Sequence, residues 1–134
     1  MQKRQLIDRI IESFGDQVRV AILMSGGGSN ARALLRERHR YRNLSFECIA
    51  TDRQSSNAVA IGSEFKVSTI VLEGSVKTPE NRCDFFKKLT QALRNRHIEV
   101  ILYAGFMKIA TAEFVMSFPS LNIHPADLTI RDAF

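Results

Sequence analysis

Five short apolar runs, interleaved with stretches of helical period, constrain this chain more than any other feature of its sequence. The runs at residues 18–24, 46–50, 68–72, 100–104 and 121–124 read as strands. Several are continuously apolar rather than alternating, as strands are when a mostly parallel sheet is covered on both faces. Helices are expected from about residue 30 to 37, over 57–65 and over 111–118. A further helix starts at Thr78-Pro79-Glu80, with threonine as N-cap, proline at the first helical position and an acid in the first turn. Phe85, Phe86, Leu89, Ala92 and Leu93 form its apolar stripe. The alternation implies an α/β fold, a doubly wound, mostly parallel sheet with helices on both faces. Such sheets bind ligands outside the carboxyl ends of their strands.

At 134 residues the chain is long enough for one domain and too short for two independent cores. Residues 18–134 are expected to form that domain. Residues 1–17 form an amphipathic leader helix through Leu6, Ile7, Ile10, Ile11 and Phe14. That helix docks on the domain or on a neighbour, and a homodimer would supply one. Asp8, Arg9 and Glu12 interrupt the apolar stretch a secretory signal needs, and no run reaches about 18 apolar residues. A cytoplasmic protein without membrane partners is expected. Cys48 and Cys83 lack metal-ligand spacing and read as reduced thiols. The net charge of +5 suits an anionic ligand. Arg32, Arg36, Arg38, Arg40 and Arg42 point in several directions on a helix, however, so a nucleic-acid stripe is not expected.

Every motif falls at a strand's carboxyl end. Ser25-Gly26-Gly27-Gly28-Ser29-Asn30 joins the first strand to its helix. Glycines let the backbone bend and approach an anion, and N–H groups at the helix start point at it. A rival pattern overlaps it: Gly26, Gly28 and Ala31 fit G-x-G-x-x-A, and Asp52 closes the second strand where a dinucleotide fold places its ribose-binding acid. In Leu121-Asn122-Ile123-His124-Pro125 the strand period puts Asn122 and His124 on one face. A carboxamide and an imidazole there suit a tetrahedral acyl-transfer intermediate, since both donate hydrogen bonds to an oxyanion and histidine also moves a proton. Ala104-Gly105-Phe106-Met107-Lys108-Ile109-Ala110 follows the fourth strand and offers an apolar wall for a flat ring.

These blocks, in this order, resemble the formyltransferases that use 10-formyltetrahydrofolate, and within them the glycinamide ribonucleotide (GAR) transformylase branch. SGGGSN is similar to that branch's SGxGSN, AGFMKI to its AGFMRI, and LNIHP to its LNIHP. The resemblance runs from Val18 to Pro125 and implies formyl transfer to the primary amine of GAR in purine biosynthesis. It assigns Gly28, Ser29 and Asn30 to the ribonucleotide phosphate. It gives Arg82, Met107, Lys108, Ile109 and Ala110 to the folate, mainly through backbone and apolar contacts for the last four. Asn122 would bind the formyl group and His124 would be the acid/base. A folate co-substrate and a small ribonucleotide are the partners implied, and no metal. The branch follows NIHP with a Ser-Leu-Leu-Pro-like loop where this chain has Ala126-Asp127-Leu128-Thr129-Ile130. Its catalytic aspartate lies beyond a further strand, past Phe134, and neither Asp127 nor Asp132 occupies that place. The expectation is therefore the front part of a longer enzyme, with its C-terminal part missing and itself inactive. The residues also admit other readings: another amine acceptor such as a nucleotide sugar or methionyl-tRNA, a nicotinamide oxidoreductase using Asp52, or a ligand-binding domain without turnover.

Overall fold

The computed structural model describes residues 17–123. The expected leader helix, His124 and the residues after it lie outside the described residues. Strand β1, Val18–Met24, is the centre of a five-stranded sheet. Helix α1 follows at Ser29–Arg36, then a 3-10 turn at Arg38–Arg40, strand β2 at Leu44–Thr51, helix α2 at Ala58–Phe65 and strand β3 at Ser68–Val71. Helix α3, Pro79–Asn95, leads to β4 at Val100–Tyr103, and α4, Ala112–Ser117, leads to β5 at Ser120–Asn122. The order across the sheet is β3-β2-β1-β4-β5, and every neighbouring pair is parallel. This is the doubly wound α/β architecture expected from the sequence.

Strand periodicity divides the core into two layers. Val18, Val20, Ile22 and Met24 of β1 face one side, where Leu34 and Leu35 of α1 and Ile61 of α2 cover them. Ala21 and Leu23 face the other, under Phe85, Phe86, Leu89 and Leu93 of α3 and Phe114 of α4. Phe86 and Phe114 are 1% exposed with ring centroids 5.0 Å apart, and burial of each side chain contributes up to about 3 kcal/mol. Arg19 is the exception in an otherwise apolar strand. The β1–β2 register skips Glu47 between Phe46 and Cys48, and that residue's carboxylate takes the Arg19 guanidinium at 2.8 Å. The basic stretch around α1 is spent locally: Arg32 pairs with Glu64 at 3.1 Å, and Arg38 donates to the Phe65 carbonyl at 3.1 Å.

Chain order explains where a ligand can enter. From β1 the chain winds outward through α1, β2 and α2 to β3, and α3 then carries it back to lay β4 against the other side of β1. The loops leaving β1 and β4 therefore diverge to opposite faces and open a crevice between them, the usual ligand site of such sheets.

Candidate active site

Gly28 sets the shape of the first loop. Its φ of 81° and ψ of 21° lie in the left-handed region, and an added Cβ would sit 2.3 Å from Ile61 Cδ1 and 2.8 Å from Met24 Cε. Only glycine meets both conditions without strain. The carbonyls of this loop are taken up by the protein itself. Gly26 O accepts from the Asn57 backbone N–H at 3.3 Å, Gly27 O from Asn57 Nδ2 at 3.0 Å, and Gly28 O from the Arg32 N–H at 2.8 Å. What remains for a ligand is the opening turn of α1, whose N–H groups have no intrahelical partner. No side chain caps that turn and it contains no acid. Helices α3 and α4 differ: Thr78 accepts from Asn81 N and Thr111 from Phe114 N, with Glu80 and Glu113 in their first turns. Helix α2 also lacks a capping side chain and a first-turn acid, though its Ala58 N–H donates to Ser56 Oγ at 3.2 Å. An anion thus has an open helix start in α1 at the crevice.

The loop after β4 is tied to the first. Ser25, 1% exposed, donates its N–H to Gly105 O at 3.2 Å and accepts from the Met107 N–H at its Oγ, 2.8 Å away. Gly105 is also left-handed, with φ of 79°. Met107 and Ile109 stand out 69% and 72% exposed, Lys108 and Ala110 are half-buried. Lys108 Nζ meets Asp52 Oδ2 at 2.9 Å and lies 5.2 Å from the Phe85 ring centroid. Burial alone would raise the Asp52 carboxyl, but hydrogen bonds from Lys108 and Ser25 and the lysine charge hold it below the ordinary value. The Asp52 side chain is 1% exposed. It has no face to offer a ribose, so the dinucleotide reading loses its acid.

At β5, Tyr103 and Asn122 are register partners, and the Ile123 N–H donates to Tyr103 O at 2.7 Å. Leu121 and Ile123 are buried, each 4% exposed, and Asn122 between them is exposed. Asn30 Nδ2 reaches across to donate to Ile123 O at 3.3 Å. The side chain of Asn30, a residue assigned to the phosphate by the resemblance, is therefore turned to the strand that bears Asn122, which joins the glycine loop to the LNIHP strand. Arg82 is half-buried in the first part of α3, and its Nε joins Asp52 Oδ1 as the buried side-chain atoms without a partner among the described residues. Burial keeps the Tyr103 phenol neutral by raising its pKa. Ser25 and Asn57, which shape the loops, carried no functional assignment from sequence: Ser25 stood inside the glycine motif, and Asn57 had no local signal. Among the described residues no group of His, Cys, Asp and Glu side chains could hold a metal ion.

A family model described as "Formyl transferase" matches residues 18–129. The chain belongs to the formyl transferase family. It is 33% identical over 115 residues to the human trifunctional purine biosynthetic protein adenosine-3, covering 82% of this chain and 11% of that protein. It is 25% identical over 109 residues to phosphoribosylglycinamide formyltransferase of Bacillus subtilis, covering 79% of this chain and 55% of that enzyme. Among solved structures, phosphoribosylglycinamide formyltransferase of Brucella melitensis superposes with a TM-score of 0.71 at 26% identity, covering 81% of this chain and 57% of that one. The chain thus spans about half the length of the single-function relatives.

Proposed function

We propose that this chain carries the ribonucleotide-binding and formyl-handling half of a phosphoribosylglycinamide formyltransferase, acting in the cytoplasm in purine biosynthesis. The observation that carries this reading is the joining of two loops and the end of β5 at the carboxyl ends of the strands. Ser25 ties the loop of residues 105–110 to the glycine loop, and Asn30 ties the glycine loop to the strand of Asn122. The open start of α1, with Gly28, Ser29 and Asn30, takes the phosphate of the ribonucleotide through backbone N–H groups. The exposed Met107 and Ile109, with Lys108 and Ala110, form one wall for the folate ring of 10-formyltetrahydrofolate. The unpartnered Arg82 Nε suits an acceptor oxygen, as a folate carboxylate would supply.

In the reaction, the primary amine of the ribonucleotide attacks the formyl carbon, a new C–N bond forms, and the bond from that carbon to the folate nitrogen breaks. Asn122 donates to the oxyanion that develops between those events. His124, which lies outside the described residues, is assigned the proton that leaves the amine and is needed on the departing folate nitrogen. Calorimetric titration of the chain with GAR and, separately, with NAD tests the reading. Binding of GAR with no binding of NAD is expected. Binding of NAD without GAR would return the G-x-G-x-x-A pattern to its dinucleotide meaning.

A further inference from the structure

The folate loop is the part of this site with least to hold it. Met107 and Ile109 are apolar and largely exposed, and Gly105 at its base is left-handed. A short loop bearing two exposed apolar side chains gains by collapsing onto the protein unless something fixes it. One residue between those two does the opposite of what exposure predicts. Lys108 sends its charge inward, across the carboxyl end of β1, to a carboxylate at the end of β2. Resting on the folate reading above, we propose that Asp52 and Lys108 are a positioning pair that holds the 105–110 loop open in its folate-binding shape.

Stability alone does not account for such a pair. Two charges taken out of water recover little, and replacing both by apolar groups of similar size is often neutral. What the pair does deliver is registry. Asp52 fixes Lys108 at 2.9 Å, and Ser25, between the two strand ends, takes the Met107 N–H on its Oγ and gives its own N–H to Gly105. The Phe85 ring beneath Lys108 Nζ brings α3 into the same support. The loop is thereby anchored to the ends of β2 and β1 and to α3, while its Met107 and Ile109 side chains stay free for a ligand. Neither residue of the pair needs to touch substrate through its charge. Both act through the loop they place.

The test compares Asp52→Asn, Lys108→Met and the double variant on the full chain by three measurements. Each single change strands one buried charge and should lower Tm, whereas the double change removes both charges and should restore it. Affinity for tetrahydrofolate should fall about tenfold in all three, the double included. Affinity for ribose 5-phosphate should hold within about twofold. Hydrogen exchange of the Met107 amide should be fast in all three variants, with the amides of Leu23 and Ile101 unaffected. If tetrahydrofolate affinity and Met107 protection return in the double variant together with Tm, the pair is merely structural and the proposal fails. Should the unaltered chain not bind tetrahydrofolate, the folate reading falls instead. Met107 exchange then judges the pair by itself: fast in the double variant sustains the anchoring, native protection refutes it.

Discussion

Gly28→Ala puts the most demanding position of the site to a quantitative test. Two separate costs arise. A residue with a Cβ at φ of 81° loses about 1–2 kcal/mol relative to glycine. The new methyl also lands 2.3 Å from Ile61 Cδ1 and 2.8 Å from Met24 Cε. Both are ends of flexible side chains, but both residues are 0% exposed, so neither can swing away without moving the layer between β1, α1 and α2. Overpacking of that kind costs about 1–3 kcal/mol. The sum is a loss of about 2–5 kcal/mol, or on the order of 8–20 °C in Tm for a domain of this size. Urea unfolding measures it directly, with Gly27→Ala as the control, because a Cβ there meets nothing within 4 Å. The control should stay within about 0.5 kcal/mol of the unaltered chain. Adding Ile61→Val to Gly28→Ala removes the nearest atom and should recover some of the packing part, the 2.8 Å approach to Met24 Cε remaining, while leaving the backbone part. A Gly28→Ala variant as stable as the control, or one fully rescued by Ile61→Val, would show that the left-handed conformation is not held as described.

Two further outcomes follow from the buried ionisable groups. The folded Asp52 carboxyl titrates below its unfolded value of about 4, so the stability it contributes is complete above that value and is lost as pH falls through the lower folded one. Unfolding free energies measured from pH 7 downward should fall more steeply through that acid range in the unaltered chain than in Asp52→Asn, and equal slopes would remove the ion pair from the account. Burial, against the nearby Arg96 and Arg19 charges, pushes the Cys48 thiol up to about 11, and its side chain lies inside the sheet while Cys83 is half-buried. Iodoacetamide at pH 8 should label Cys83 alone by mass spectrometry and both residues after denaturation; native labelling of Cys48 would mean that β2 opens on the labelling timescale.

Local chemistry made most of the fold legible. Thr78-Pro79-Glu80 announces α3, and its apolar stripe is the buried one, apart from Ala92, which is only partly covered. Strand positions were readable from apolar runs, but β2 begins earlier, at Leu44, because pairing with Val18 extends the ladder through residues whose own pattern is polar. The glycine loop was legible as a strand-to-helix turn because its signal lies within a few consecutive residues. Asp52 was not legible in the same way. Its spacing from Gly26 and Gly28 fits a dinucleotide loop, while the partner that decides its role, Lys108, lies 56 residues further on. Asn30 shows the same limit: after three glycines and a serine it reads as a phosphate ligand, and its side chain bridges to Ile123, 93 residues away. Side-chain partners across strand ends depend on the order in which strands are laid down, and no local pattern encodes that order.

The starts of α1, α3 and α4 are capped in different ways. Thr78 and Thr111 each close the first turn of a helix with a side-chain oxygen, a contact worth about 1 kcal/mol against alanine. Placing the same kind of residue at position 28 would put an oxygen over the first-turn N–H groups, and would also demand a left-handed conformation that a branched side chain resists. Glycine there gives up only a few tenths of a kcal/mol relative to a good cap, because the exposed N–H groups stay accessible to water. The open turn is therefore cheap to maintain, and its donors stay available for the phosphate proposed above. That arrangement requires the loop carbonyls to be committed elsewhere, or they would repel the anion. Asn57 does this from the start of α2, taking the carbonyls of Gly26 and Gly27 with its backbone and side-chain N–H groups. A residue with no motif of its own thus takes two carbonyls of the glycine loop, and the phosphate site proposed there depends on Asn57 as much as on the glycines.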